Sequence, residues 1–513
     1  MPARLHGIPA LAAFSLAACA PSPQLSNPGG AAFDQAGFAV AIEGDRVIVG
    51  VPKSDSLDSN GGKALIYERS GSAWPLRATI ASSTPTFGAQ FGWSVDIAGD
   101  RAAVGAFGDA TVGWITGAAY VFEGSGTVWA QVARVHGDST ESGFAKAIAI
   151  SGDWLVVGAP FAPPPLFTGP GLAFVYRRNN AGQWVRDTTL VASDAIDFIE
   201  FGSAVDIDGD VIVVGAEKGV KNGTVIGGAV YVFRRNGGAW LEEAKLTASD
   251  AAYHDRFGAS VSVSGDAIIV GAKQQDTKGD GAGAAYAFRR FGGFWTQVQK
   301  LTANDGGPGN EFGYAVSVDQ PRALIGAWLA DGDTGTTGAT FLYTGSPGAW
   351  SFNQKRFLPT GVYGDGYGAS VSVSGDCAVV GAPNRDVGGL DKMGAAFVYC
   401  GLPALTVSDI EIDIICCVEI PDPVGPVILS SRIVNGTDRS RIGTRRVVRA
   451  RRDGGVEDLV APLSLVLAPG DTIDERHTLR TRSDAEASQR EIWLLWEDPE
   501  GTRTARLRGA LPR

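Results

Sequence analysis

A unit of about 55 residues recurs seven times along this chain of 513, and no other feature restricts its possible folds as tightly. The clearest copy reads FGASVSVSGDAIIVGA at 257–272, then GAAYAF at 283–288 and WTQVQKLTAND at 295–305. The same order starts from Phe38, Phe91, Phe144, Phe201, Phe257, Phe312 and Tyr367, with spacings of 53, 53, 57, 56, 55 and 55 residues. A second element carries Gly50-Val51, Gly105-Ala106, Gly158-Ala159, Gly215-Ala216, Gly271-Ala272, Gly326-Ala327 and Gly381-Ala382. A third ends at Tyr67, Phe122, Tyr176, Phe233, Phe288, Tyr343 and Tyr399, and a fourth opens on Trp74, Trp129, Trp184, Trp240, Trp295 and Trp350.

Each copy reads as four short strands. Ala259 to Val263 alternates with period two, Ser264-Gly265-Asp266 makes a tight turn, and Ala267 to Val270 is a continuous apolar run, as in a strand covered on both faces. The 70 glycines are about twice the usual 7% share, have no collagen period, and fit many tight turns. Four antiparallel strands at this period describe a propeller blade, so the expected fold is all-β, a seven-bladed β-propeller over 37–401. The recurring small residues suit the crowded places where blades stack.

The alternating FG and GAP-like elements over 38–400 resemble the FG-GAP repeats of integrin α-subunit propellers and their bacterial relatives. The resemblance implies seven blades and marks the fold; propellers host many unrelated activities, so it says little about function. It also implies calcium loops of the form DxDxDG between the first two strands of a blade. Here that place holds only Ser-Gly-Asp turns at 151–153, 264–266 and 374–376, with Asp206-Ile207-Asp208-Gly209-Asp210 the nearest approach. One carboxylate in so short a turn cannot supply six to eight oxygens, so those calcium sites are expected to be missing.

The seventh copy lacks the Trp-led strand. Leu405 to Ile410 stands at its place, either completing that blade or opening the next domain. Residues 402–513 change character, with 16 Arg, no Lys and 18 Asp plus Glu over 401–513. Strand-like runs separated by Asn435-Gly436, Asp453-Gly454-Gly455 and Pro469-Gly470-Asp471 are expected to form a C-terminal Ig-like β-sandwich. The basic stretch Arg445 to Arg452 reads as an exposed strand with solvated side chains, or as a ligand face.

At the other end, Arg4 precedes an apolar stretch from Ile8 to Ala18, too short to span a bilayer and suited to a signal peptide. Leu16-Ala17-Ala18-Cys19 resembles a bacterial lipobox, which implies cleavage after residue 18, lipidation of Cys19 and an outer-membrane location. An ordinary secretory signal is the alternative. Residues 19–36 are expected to be a flexible tether. An oxidising compartment permits disulfides, and Cys377 and Cys400 lie symmetrically about the loop near residue 388. They form either a staple in the closing blade or two buried thiols. Cys416 and Cys417 pair with each other or separately.

That register also opposes turn aspartates to arginines ending the third strands: Asp153 to Arg178, Asp210 to Arg235 and Asp266 to Arg290. Cross-strand ion pairs of a few tenths of a kcal/mol are expected there. Loops on the opposite rim carry Asp138, Asp194, Asp197, Asp250, Asp255, Asp276, Asp280, Asp305, Asp331 and Asp333, which makes an acidic top face the candidate binding surface. Asp276, Asp280, Asp331 and Asp333 have oxygen-rich spacing that calcium could use; they are equally what polar turns prefer.

The net charge of −11 lacks the footprint of a nucleic-acid binder. His136, His254 and His477 are far apart, and no nucleophile elbow, phosphate loop or HExxH is present. The expected function is binding rather than catalysis: a surface-anchored adhesion protein whose loops meet an extracellular protein or glycan, touching membrane only through its lipid. A polysaccharide-active enzyme or a lectin on the same propeller is the alternative.

Overall fold

The computed structural model describes residues 24–402, apart from gaps at 56–57, 112–115, 138–142, 162–168, 197, 219, 222–223, 226, 333–334, 347 and 359–360, and beyond them only backbone strands within 410–506. Residues 40–80, 91–135, 147–190, 201–246, 257–301 and 312–356 each form a four-stranded antiparallel sheet in consecutive order, and 370–399 a three-stranded one. The first strands lie side by side around a central channel, with that of blade seven against that of blade one. The fold is therefore a closed seven-bladed β-propeller.

Sequence and packing meet at the glycines. The anchor Phe91, Phe201, Phe257 or Phe312 is fully buried, and the glycine after it has φ near +90°, at 95°, 92°, 90° and 87° for Gly92, Gly202, Gly258 and Gly313. That left-handed backbone favours glycine. It carries the chain onto the preceding blade's second-strand glycine: a Cβ on Gly50, Gly158, Gly215, Gly271, Gly326 or Gly381 would stand 2.0–2.1 Å from the carbonyl oxygen of Gly92, Gly202, Gly258, Gly313, Gly368 or Gly37. Backbone thus touches backbone at the blade junctions. At the remaining junction, Ala145 replaces the FG glycine, with φ 65°.

Blade one corrects the expected frame. Ala36, not Phe38, occupies the anchor position, since Ala36 bridges Gly394 as Phe91 bridges Gly62. Phe38 takes the place of Trp93 and packs on it at 4.5 Å. Each fourth-strand tryptophan fills the wedge between its blade and the preceding one, Trp74 among Val379 and Val398 and Trp350 beside Ile269.

Residues 24–36 pack on the ring instead of hanging free. Gln24 pairs antiparallel with Phe397, the Leu25 amide donates to the Ala396 carbonyl at 2.9 Å, Leu25 is buried, and the Tyr67 hydroxyl donates to the Ser26 carbonyl. The beginning of the chain thus supplies the outer edge of the last blade, joining both ends of the repeat array. Residues 405–409 lie outside the described residues, while Ile410–Asp413 pairs with Val427–Asn435 and so belongs to the following sheet. With no tryptophan of its own, blade seven leaves a small cavity against blade six, lined by Leu324, Leu342, Gln354, Arg356, Val380 and Leu402. The Gln354 Nε2 and Arg356 Nε donors are buried there without hydrogen-bond partners.

Cys377 and Cys400 are joined in a disulfide across strands two and three of blade seven; Cys416 and Cys417 lie outside the described residues. The three expected ion pairs do not form. Their backbones do meet, with the amides of Arg178, Arg235 and Arg290 donating to the carbonyls of Asp153, Asp210 and Asp266 at 2.8–2.9 Å. Adjacent side chains on a strand point to opposite faces. Arg234 and Arg289 therefore take Asp210 and Asp266, and Arg101 takes Asp153. Arg178 and Arg290 turn to Glu123 and Glu243 of the preceding blade, and Arg235 covers the Trp154 ring. Arginines expected to tie strands within a blade tie blade to blade.

Beyond residue 402 the described strands form two antiparallel sheets. One comprises Ile410–Asp413, Val427–Asn435 and Thr472–Leu479; the other comprises Val456–Leu467, Arg441–Ala450, Ile492–Asp498 and Gly501–Arg506. The arginine-rich strand is flanked on both edges, by 456–467 and 492–498.

Gly271→Ala places a methyl against the Gly313 carbonyl and is expected to destabilise the propeller by about 3 kcal/mol. Gly44→Ala, at a turn glycine with open space around it, should lose about 1 kcal/mol. Denaturant melts of both variants check the difference. The double change Cys377→Ser, Cys400→Ser should cost about 3 kcal/mol by the same measurement, since the bond closes a loop of 23 residues.

Candidate functional site at the channel mouth

The channel wall is stitched by one hydrogen bond per blade. The amides of Val318, Val373 and Ile42 donate to the hydroxyls of Ser262, Ser317 and Ser372 on the preceding blade. Blades one and three have Ala41 and Ala149 at that place, which can accept nothing. Asp96 and Asp206 on the next blades each serve two amides instead. Asp96 accepts from Ile97 at 2.9 Å and Ile150 at 2.7 Å, and Asp206 from Ile207 and Val263 at the same distances. Burial pushes the Asp96 carboxyl up to about 8, against the Ile150 amide and helped by the Asp206 charge. Burial likewise pushes Asp206 up to about 6, against the Val263 amide. Lower down, Ser374, Glu43 and Asp208 accept from Gly44, Gly99 and Gly265 of the next blade. The turns standing where calcium loops were sought are thus stitches between blades.

The upper end is built differently. In blades two, four, five and six the first strand opens with two extra residues, as where Phe91 pairs Ala106 but Ser94 pairs Gly105. Bulges of this kind re-aim side chains. Trp93 and Tyr314 occupy such bulges, with Phe38 and Lys146 at the equivalent places in blades one and three. The residues that follow the second strands meet them. Trp93 stacks on Phe107 at 5.2 Å, Tyr314 packs on Trp328 at 5.0 Å, Lys146 lies over Phe161 and Lys273 over Tyr314. Between them Glu217, 9% exposed at its side chain, faces Arg256 at 3.4 Å, Lys146 at 3.7 Å and Lys273 at 3.8 Å. Burial raises the Glu217 carboxyl, but Lys273, Lys146 and Arg256 together outweigh it and hold the group below its usual range. Burial, then the charges of Glu311 and Glu217, push the Tyr314 hydroxyl up.

The residue before each anchor has positive φ: 58° at Gln35, 55° at Gln90, 58° at Glu200, 55° at Arg256 and 53° at Glu311, with glycine at 143 and 366. Five of the seven places hold a long polar side chain where glycine is unstrained, and such strain gathers at functional sites. Outside this ring, the blade-to-blade loops expose Phe33, Phe87, Phe198, Tyr253 and Tyr363, between 55% and 82% accessible.

Three of the aspartates expected to dominate this face are paired with lysines. Lys245 binds Asp194 at 2.5 Å, Lys300 binds Asp250 at 2.6 Å and Lys355 binds Asp305 at 2.7 Å. Asp255 is buried and accepts the Ala252 amide. Asp276 accepts the Gly281 amide and closes its own loop, and Asp280 is exposed. Among the described residues no three His, Cys, Asp or Glu side chains converge as a metal site. Asp138, Asp197 and Asp333 lie outside the described residues, as do Cys19 and the side chain of Asp331. The aromatic and strained positions were missed, although their signal is present: a polar residue just before an FG pair, and an aromatic three or four residues before it.

The raised carboxyl of Asp96 makes stability depend on pH. A folded value above the unfolded one means the protonated form is favoured by folding, so this contribution is complete below about pH 4 and lost as pH rises toward 8. Asp96→Asn should therefore lower the melting temperature at pH 5, with the deficit shrinking or reversing at pH 8.5. A deficit that grows with pH contradicts the assignment.

FG-GAP repeats match residues 74–122, 184–233, 240–288, 295–343 and 350–399. Each match starts at a fourth-strand tryptophan and ends within the next blade's third strand. The stretches without a match include the departing anchors Ala36-Gly37 and Phe144-Ala145. No curated protein matches the chain. Five FG-GAP repeats are thus matched in the chain, and all five lie within its seven-bladed β-propeller.

Proposed function

We propose that this is a binding protein, not an enzyme, and that its ligand, an extracellular protein or glycan, sits on the upper face over the channel mouth. The observation that carries this is the ring of long polar side chains held at positive φ, surrounded by exposed aromatics on loops fixed by the blades. A rigid scaffold of this kind loses little ordering entropy on binding. Lipidation at Cys19 would anchor the chain to the outer membrane, with the C-terminal strands forming an Ig-like sandwich that serves as spacer or second module. The mouth offers stacking planes and paired charges.

An array of glycans and peptides probed with the purified mature chain tests this reading. Trp93→Ala removes the ring between Phe38 and Phe107 and should weaken the captured ligand about tenfold, the worth of one aromatic stack. Ser125→Ala, at the end of a strand on the opposite rim, should leave capture unchanged. Equal capture by wild type and the Trp93 variant contradicts the proposal.

A further inference from the structure

We propose that the cavity between blades six and seven is the seat of Cys19, so that the lipid anchor leaves the propeller directly from this wedge; the anchor itself rests on the lipidation of Cys19 proposed above. In blades two, four, five and six, Arg134, Lys245, Lys300 and Lys355 stand opposite an aromatic residue of the third strand, and the wedge tryptophan lies five residues before each of them. Phe397 holds that aromatic place in blade seven, two residues past the Ala395 that pairs with Ala382, and it faces Gln24. Leu25 is accordingly buried like Leu246 and Leu301, which follow Lys245 and Lys300. Counting five residues back from Gln24 reaches Cys19, at the tryptophan's place.

An unanswered donor points to the same occupant. Gln299, four residues after Trp295, grips the backbone of the next blade's tryptophan: its Nε2 donates to the Trp350 carbonyl at 2.9 Å and its Oε1 accepts the Trp350 amide at 2.8 Å. Gln354 stands four residues after Trp350 and lines the cavity, yet its buried Nε2 has no partner among the described residues. The acceptor it lacks is the carbonyl of the residue at the tryptophan's place in blade seven. An indole is not needed there, because Leu402 already packs in this wedge with Leu324 and Leu342; a side chain of cysteine's size suits the remainder. Residues 403–409 are the competing occupant, but Gln24 holds the edge opposite Phe397 and the chain joins another sheet at Ile410. Pro21 and Pro23 are compatible with an edge strand, where proline is tolerated. Wedge tryptophans such as Trp129 and Trp295 are partly exposed, so the place has an outlet. A diacylglyceryl group on the Cys19 sulfur starts at that outlet and holds the flank of blades six and seven against the bilayer.

Thermal melts compare the purified mature chain, beginning at Cys19 with a free thiol, with a chain beginning at Gln24. Loss of residues 19–23 should lower the melting temperature by about 3 °C. Gln354→Ala should cost about 2 °C in the longer chain and leave the shorter one unchanged, because its partner is already gone. Gln299→Ala, whose partner is Trp350, should cost the same in both. Iodoacetamide should alkylate Cys19 about tenfold more slowly in the folded chain than in urea, read by peptide mass; this arm uses unaltered protein and stands even if a variant folds poorly. An equal cost of Gln354→Ala in both chains, which residues 403–409 in the seat would produce, overturns the inference, as does a Cys19 thiol that reacts as it does in urea. The intact mass of the chain taken from its native membrane reads lipidation separately: an unmodified Cys19 overturns the anchor alone, and the melts still decide the seat.

Discussion

Everything in this propeller depends on backbone meeting backbone between neighbouring blades. The second-strand glycine of one blade lies under the carbonyl of the next blade's FG glycine, so close that a Cβ would fall about 2 Å from that oxygen. The FG glycine can reach across only because its φ is near +90°, and the phenylalanine before it is driven inward as the buried wedge. Three properties of one short motif therefore do one job. The junction between blades seven and one obeys the same rule through Gly381 and Gly37, which is why the ring closes without a special device other than the edge lent by Gln24 and Leu25.

Much of this was legible because it repeats. Seven spaced anchors with glycine, aromatic and tryptophan partners leave few alternatives to a propeller, and the register near the disulfide carried over correctly to the backbones of Asp153, Asp210 and Asp266. The side chains did not follow, since a one-residue alternation decides whether an arginine looks along its own blade or toward the next. The frame of blade one was misread for a related reason. An alanine in the anchor place gives no aromatic signal, and Phe38 sits two residues later in the position of Trp93. The edge of blade seven comes from the opposite end of the chain, a pairing that no local pattern announces.

The site was harder to read. A list of loop aspartates marks polarity, but three of those carboxylates are answered by a lysine some 50 residues downstream, a relation visible only once blades are side by side. What distinguishes the upper face is conformational: polar residues sit where the backbone asks for glycine, and glycine itself stands there in blades three and seven. Gly143 and Gly366 show that the fold is content without a side chain at this position. On the binding reading proposed above, the polar residues in the other five blades are an expense of the fold borne for what their side chains do at the mouth.

Gln90→Gly tests that claim most directly, because the Gln90 backbone has φ 55° and stability and binding are expected to move in opposite directions. The account predicts a higher melting temperature than wild type together with weaker capture of the upper-face ligand. A lower melting temperature, or a stabilised variant that binds as well as before, would contradict it.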